Sequence, residues 1–163
     1  MTKTYRVTPF VRLSNILVTT LLHVGLKPGN MVLLTVRGRK SGLPRTTPVV
    51  ISELDGKRWL IGPFGAVNWV RNLRAAGEAT LTWGRHSEAI TVVELPSEEA
   101  APILKQTLAG APAFIRQYFD VTPASPMEDF VREAPRHPLF LVQSAVEKQS
   151  ETEPENAMRR SNA

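Results

Sequence analysis

Four cations fall within one short stretch: Arg37, Arg39, Lys40 and Arg45. Ser41, Thr46 and Thr47 add hydroxyl donors beside them, and Gly38 and Gly42 bracket the turn that carries them. Arginine can grip an oxyanion through two parallel N–H donors, whereas lysine acts as a point charge. The set therefore suits a phosphate or carboxylate ligand. It suits a solvated basic hairpin tip equally well, because charge runs commonly decorate surfaces. A second stretch, Gly62-Pro63-Phe64-Gly65, is unusual in composition. Its glycines could let backbone approach a flat ring closely, or it could simply connect a strand to a helix. Other chemistry is not indicated. His23, His86 and His137 show no metal-ligand spacing, and the chain contains no GxSxG elbow, Walker loop or dinucleotide-binding fingerprint. A bound cofactor would then have to carry any reaction, with the protein supplying placement and field.

The elements around these residues read mainly as strands. Met31 to Val36 is an apolar run rich in β-branched residues, and Arg45 to Ile51 is a second extended run. Asp55-Gly56 is a strong short hairpin signal leading into a strand over 58–62. Further strands are expected over 78–83, 87–95 and 138–144, with Gly84-Arg85-His86 joining the first two. Ile90, Val92 and Leu95 are inward candidates. Asn68 to Ala76 reads as a short helix with Asn68 as N-cap, Arg71 and Arg74 as neighbours on one face, and Gly77 as the stop. Trp69 alone would read as core. Pro96 and Ser97-Glu98-Glu99 open another helix. Ala111-Pro112 opens one carrying Phe114, Ile115, Tyr118 and Phe119. Ser125-Pro126-Met127-Glu128 has the pattern of cap, first-turn proline and capping acid. Short strands joined by hairpins suggest a closed antiparallel barrel, since closure removes exposed sheet edges. The fold class is mainly β with flanking helices (α+β).

The organisation expected is an N-terminal amphipathic helix within 1–27, a barrel domain over 28–144 and a polar, disordered tail over 145–163. Residues 5–25 repeat apolar side chains at three- and four-residue spacing, with Arg6 and Arg12 on the other face. Such a helix could pack on the barrel or lie peripherally in a lipid interface. No stretch of about 20 apolar residues is present, so no spanning helix is expected. The chain has 163 residues, 42% hydrophobic, with a net charge of +5 and a pI near 10.0. That balance favours an anionic partner. Nucleic acid is disfavoured, because no platform of interleaved aromatic and basic residues is evident for stacking bases. The absence of cysteine excludes disulfides and thiolate metal sites and permits a reducing cytoplasm.

The string TVRGRKSGLPRTTPVV resembles the anion-binding motif of the deazaflavin-dependent nitroreductase family, which uses coenzyme F420. The similarity continues through Asn68-Trp69-Val70-Arg71-Asn72-Leu73-Arg74 and covers roughly residues 10–143. The resemblance implies a split β-barrel related to FMN-binding barrels. It also implies hydride transfer from reduced F420 to a quinone, enone or nitroaromatic. By matched position, Arg39, Lys40, Ser41 and Arg45 would hold the phosphate and acidic glutamate tail of the coenzyme. Thr46, Thr47 and Pro48 would line the ring side. Gly62, Pro63, Phe64, Gly65, Asn68, Trp69 and Asn72 would complete the groove, with Tyr118 on the substrate side. The family often carries a Ser-Lys pair where this chain has Pro63-Phe64-Gly65. A split-barrel protein binding a fatty acid or other hydrophobic anion is the alternative. The acceptor and the oligomeric state are not readable from the chain.

Overall fold

Apolar side chains alternate from face to face along the strands, and that alternation builds two cores. The computed structural model describes residues 30–146. Six strands run β1 (Met31–Arg37), β2 (Pro44–Leu54), β3 (Lys57–Ile61), β4 (Glu78–Trp83), β5 (His86–Glu94) and β6 (Leu139–Ser144). They close into a barrel in the order β1-β2-β3-β6-β5-β4. Every pairing is antiparallel, and β1 closes the ring by pairing with β4 as well as β2. The expected closed barrel is thus the fold. The Asp-Gly signal acts as read: Leu54 pairs with Lys57, and Asp55 and Gly56 both take positive φ, 53° and 70°. This is the twist a two-residue hairpin needs.

Along β3 and β6 the period of two separates the cores cleanly. Leu60, Phe140 and Val142 face the barrel interior with Val32, Leu34, Val36, Val49 and Ile51. Trp59 and Leu139 face the outside, beneath helices α2 (Ser97–Gly110) and α4 (Met127–Glu133), where Leu104, Leu108 and Phe130 cover them. Burying each such large side chain contributes roughly 1.5–3 kcal/mol. Helix α1 (Asn68–Ala76) sends Val70 and Leu73 into the interior core. Gly77, at φ 69°, ends it with its N–H bonded to Leu73 O.

Several boundaries differ from the sequence reading. Val67, in extended conformation, occupies the N-cap of α1, with Asn68 already helical and no side-chain cap bond. The helix expected after Pro112 is a single turn, α3 (Ala113–Arg116). The Gln117 side-chain amide donates to Phe114 O, the carbonyl that a continuing helix would offer to Tyr118 N–H. Tyr118 N–H bonds Ile115 O instead. Phe114 is 63% exposed, so the stripe 114, 115, 118 is not a core stripe. Ser125 does not cap α4, because its hydroxyl accepts from Thr122 N–H and Pro126 holds the cap position. Leu95 lies past the end of β5 and joins the outer cluster. The helix expected within 5–25, and the tail beyond Val146, lie outside the described residues. Among the described residues no helix is long and apolar enough to cross a membrane.

Arg58 of β3 and Glu88 of β5 reach across β6 and form a two-pronged ion pair, 2.7 Å at each contact. The bonds from Arg58 hold the Glu88 carboxyl below its ordinary value of 4.5, against an opposing effect of desolvation. A carboxylate with a depressed folded pKa stabilises above its unfolded value and loses that stabilisation as pH falls through the folded one. Glu88→Gln should therefore cost about 1 kcal/mol at neutral pH. Denaturant melts of both proteins should converge progressively below about pH 4.5. A gap that stayed constant down to pH 3 would assign the loss to packing.

Candidate functional site

The basic loop owes its shape to its glycines. Gly38 N–H donates to Leu43 O at 2.8 Å, and Gly42 N–H donates to Gly38 O at 2.8 Å. Gly42 sits at φ 69°. A Cβ on Gly38 would stand 2.8 Å from Ser41 Oγ and 3.1 Å from Leu43 O, closer than a side chain tolerates. Ser41 Oγ is turned into the loop, where it accepts from Leu43 N–H at 3.3 Å.

One buried amide fastens this loop to helix α1. Asn72, only 6% exposed, accepts two bonds at Oδ1: from Arg39 N–H at 3.2 Å and from Arg39 Nη1 at 2.8 Å. Arg39 and Asn72, far apart in sequence, thus belong to one site. The side chains of Arg37, Lys40 and Arg45 are exposed and form no hydrogen bond or ion pair among the described residues. The amides of Lys40 and Ser41 likewise donate to nothing there. No Asp or Glu occurs between Asn30 and Glu53. Three cations and two amide donors therefore crowd one loop with no ion pair among the described residues, Glu78 being the acid that shares the neighbouring cleft wall with Arg37 and Arg39. Such a set fits the anionic half of a phosphorylated, carboxylated coenzyme. Beside the loop a cleft of about 830 Å³ runs between β1, β4 and the end of α1, with Thr35, Arg37, Arg39, Ala76 and Thr80 in its wall. It does not extend to the turn at 62–65.

Strand β2 divides the residues expected on the ring side. Thr47 shares a face with Arg45 and with the buried Val49 and Ile51, while Thr46 and Pro48 share the opposite face with the exposed Val50. Thr46 bonds the hydroxyl of Thr35 across the strand pair at 2.8 Å. Thr46, Thr47 and Pro48 are therefore not brought to one side.

The turn at 62–65 is packed against its own protein. Gly62 N–H donates to Pro138 O at 2.8 Å. A Cβ there would stand 3.0 Å from Val70 Cγ2, and one on Gly65, at φ 81°, would stand 3.3 Å from Arg136 O. The close approach these glycines permit is made by the chain itself. Phe64 meets Tyr118 edge to face at 4.8 Å, both half-buried. Trp69 packs with the interior core, 6.4 Å from Phe140, and Asn68 is exposed.

Two groups behind this turn were not singled out by their sequence. His137, 3% exposed, donates from Nδ1 to Pro63 O at 2.9 Å, since a carbonyl can only accept. Its Nε2 lies 2.8 Å from Glu133 Oε1, and Phe119 stacks on its ring at 3.7 Å. Burial pushes the His137 pKa down from 6.5, partly offset by the bond to Glu133. The signal was present as an acid and a histidine four residues apart, Glu133 and His137, one helical turn.

Comparison with known proteins adds to this geometry. The family model described as F420H(2)-dependent quinone reductase matches residues 7–122. Among solved structures, one described as an F420-H2 dependent reductase is 24% identical, with 70% of this chain and 94% of that chain covered and a TM-score of 0.48. A pyridoxamine 5'-phosphate oxidase-related, FMN binding protein from Nostoc punctiforme is 14% identical, covering 86% and 83%, at a TM-score of 0.51. A structure described as a domain-swapped dimer is 21% identical, covering 83% and 100%, at 0.51. No curated protein matches. At these identities the structural likeness speaks for the fold, a split barrel of the flavin-binding kind. The family match spans well over half of the sequence, and with it the chain belongs to the F420H2-dependent quinone reductase family, making it an F420-dependent reductase with coenzyme F420 as its cofactor.

Proposed function

We propose that the protein reduces a hydrophobic quinone, with the anionic part of the coenzyme held on the loop at 38–42 and its ring end toward the turn at 62–65. The observation that carries this reading is the uncompensated charge of Lys40 and Arg45 beside the free amides of Lys40 and Ser41. When bound, F420H2 supplies the hydride. Lys40 and Arg45 bind the phosphodiester and glutamate carboxylates. Arg39, pinned by Asn72, keeps the loop on α1 and turns its remaining N–H groups to the same anion. Strand β2 leads from this loop to the turn: Arg45 pairs with Val36 beside the loop, and Ile51 pairs with Leu60, two residues before Gly62. The intervening run is about 20 Å at 3.3 Å per residue, long enough to carry an elongated ligand from its charged end to its ring. Thr46 and Pro48, on the face of β2 opposite the packed Val49 and Ile51, line that path, with Thr47 at its charged end. Gly62, Pro63, Phe64 and Gly65 close the ring end with Asn68 and Trp69 at the start of α1. Tyr118 borders the acceptor. Phe64 lies in the turn where the family often has a Ser-Lys pair, and with Tyr118 packed beside it it offers aromatic surface that favours an apolar acceptor.

Purified protein should bind F420 more tightly than FMN, which has a phosphate but no glutamate tail. Fluorescence titrations with both coenzymes check this, and equal or tighter FMN binding would defeat the assignment of the loop.

Lys40→Ala and Arg45→Ala should each weaken F420 binding roughly ten- to a hundredfold, the equivalent of about 1.5–3 kcal/mol for a charged hydrogen bond. Salt should weaken the wild-type complex more than either variant, because exposed charges are screened. At saturating coenzyme the single-turnover rate should stay near wild type, since these residues bind reactant and transition state alike. Unchanged affinity with a collapsed rate would place them in the chemistry.

The acceptor reading also bears on residues 5–25, whose apolar spacing with Arg6 and Arg12 suits contact with a lipid surface, where hydrophobic quinones reside. Arg6→Ala with Arg12→Ala should lower co-sedimentation with anionic liposomes and leave activity on a water-soluble quinone intact. Equal sedimentation would remove the membrane part of the proposal.

A further inference from the structure

The turn at 62–65 and the segment carrying Tyr118 are held by one buried pair. His137 spans from Pro63 O, through Nδ1–H at 2.9 Å, to Glu133 Oε1, through Nε2 at 2.8 Å. The same Oε1 accepts the backbone N–H of Asp120 at 3.0 Å. Its partner oxygen, Oε2, takes Arg136 Nη1 at 3.3 Å, and that guanidinium also bonds Asp120 Oδ2. One carboxylate thus ties together two chain segments, the Pro63 carbonyl by way of His137 and the Asp120 amide directly. Each of those segments presents one ring of the Phe64–Tyr118 pair.

The proton count of the pair follows from its partners. Pro63 O can only accept, so Nδ1 carries a proton. A second proton lies between Nε2 and Oε1, whichever of the two atoms holds it, because two lone pairs would repel at 2.8 Å. His137 and Glu133 are 3% and 5% exposed, so water does not take over either bond. Burial of this kind makes a polar link stiff when fully satisfied and costly when cut.

We propose that Glu133 and His137 are positioning residues of the coenzyme site, setting the separation between the Phe64 turn and the Tyr118 segment. This rests on the reading that the turn at 62–65 borders the deazaflavin ring. His137 touches neither coenzyme nor acceptor and acts through the Pro63 carbonyl.

Two substitutions separate the two ends of the strut. In His137→Asn the side-chain amide nitrogen stands near the place of Nδ1 and can still donate to Pro63 O, while the link to Glu133 is lost. In His137→Gln the amide reaches the place of Nε2, so Glu133 keeps its partner and Pro63 loses its own. Each variant cuts the strut at one end, so with F420 saturating both should lose at least about tenfold in kcat. F420 affinity, carried by the loop, should change less than about threefold in both. The absorption band of bound F420 should shift in both. A wild-type rate and spectrum in either variant would overturn the proposal. A measurement on the wild-type protein applies even if neither variant folds. In histidine-labelled protein, saturating F420 should move the ring resonances of His137 and leave those of His86, in the β4–β5 hairpin, in place. An unmoved His137 would overturn the inference equally. If Lys40→Ala and Arg45→Ala do not affect F420 affinity, the coenzyme reading itself has failed. If they do and the His137 results are negative, the positioning role alone has failed.

Discussion

The candidate site depends on a single oxygen. Asn72 Oδ1 accepts both the amide and the guanidinium of Arg39, and through it a short cationic loop is fixed to a helix that is itself fixed in the barrel. Val70 and Leu73, on either side of Asn72, are fully buried in the interior core, so α1 has no freedom to carry Asn72 elsewhere. Losing that acceptor would remove both hydrogen bonds that tie Arg39 to α1, each contributing about 0.5–1.5 kcal/mol and the charged one more. It would also release the loop's cations from their common direction. Barrel packing, helix seating, amide and loop form one chain of dependence, in that order.

The density of unpaired charge marks the loop. Several arginines elsewhere are answered by acids: Arg58 by Glu88, Arg74 by Glu94, Arg132 by Asp129, and Arg136 by Asp120 and Glu133, while Arg71 and Arg85, without an ion pair among the described residues, stand singly. Arg37, Lys40 and Arg45 have no such partner among the described residues, and no acid lies nearby in sequence. Like charges held together repel, and the arrangement is stabilised when an anion joins them. A phosphodiester with trailing carboxylates answers that need better than a neutral ligand or a lone carboxylate would.

Much of this architecture was legible in the chain because its signals are local. The strand periods, the Asp55-Gly56 hairpin and the Gly77 stop are each set by a few neighbouring residues. The loop's concentration of charge was legible for the same reason, since Arg39, Lys40 and Ser41 are adjacent. What stayed hidden depends on contacts between distant segments or on competition for a single group. The Arg39–Asn72 bond joins positions on different elements, and only a family resemblance had placed both in one site. Ser125 read as a cap until Thr122 was seen to use its hydroxyl, and α3 read as a longer helix until Gln117 took the Phe114 carbonyl. The glycines of the 62–65 turn read as points of close approach to a ligand ring or as a plain connection, and the approach seen at their Cα atoms is to Val70 and Arg136 of their own chain. His137 read as an isolated histidine because its second partner, Pro63 O, is far away in sequence.

Hydrogen exchange with and without saturating F420 tests the central claim most directly, because it locates the coenzyme without altering a residue. Exchange at amides of the loop at 38–42 should slow, foremost at Lys40 and Ser41, which donate to nothing among the described residues in the free protein. Slowing should extend to the turn at 62–65 and the first turn of α1, with the β4–β5 hairpin unchanged. Protection confined to the outer helices, or to the cleft wall on β4 and β5 with the loop unaffected, would contradict the placement of the coenzyme.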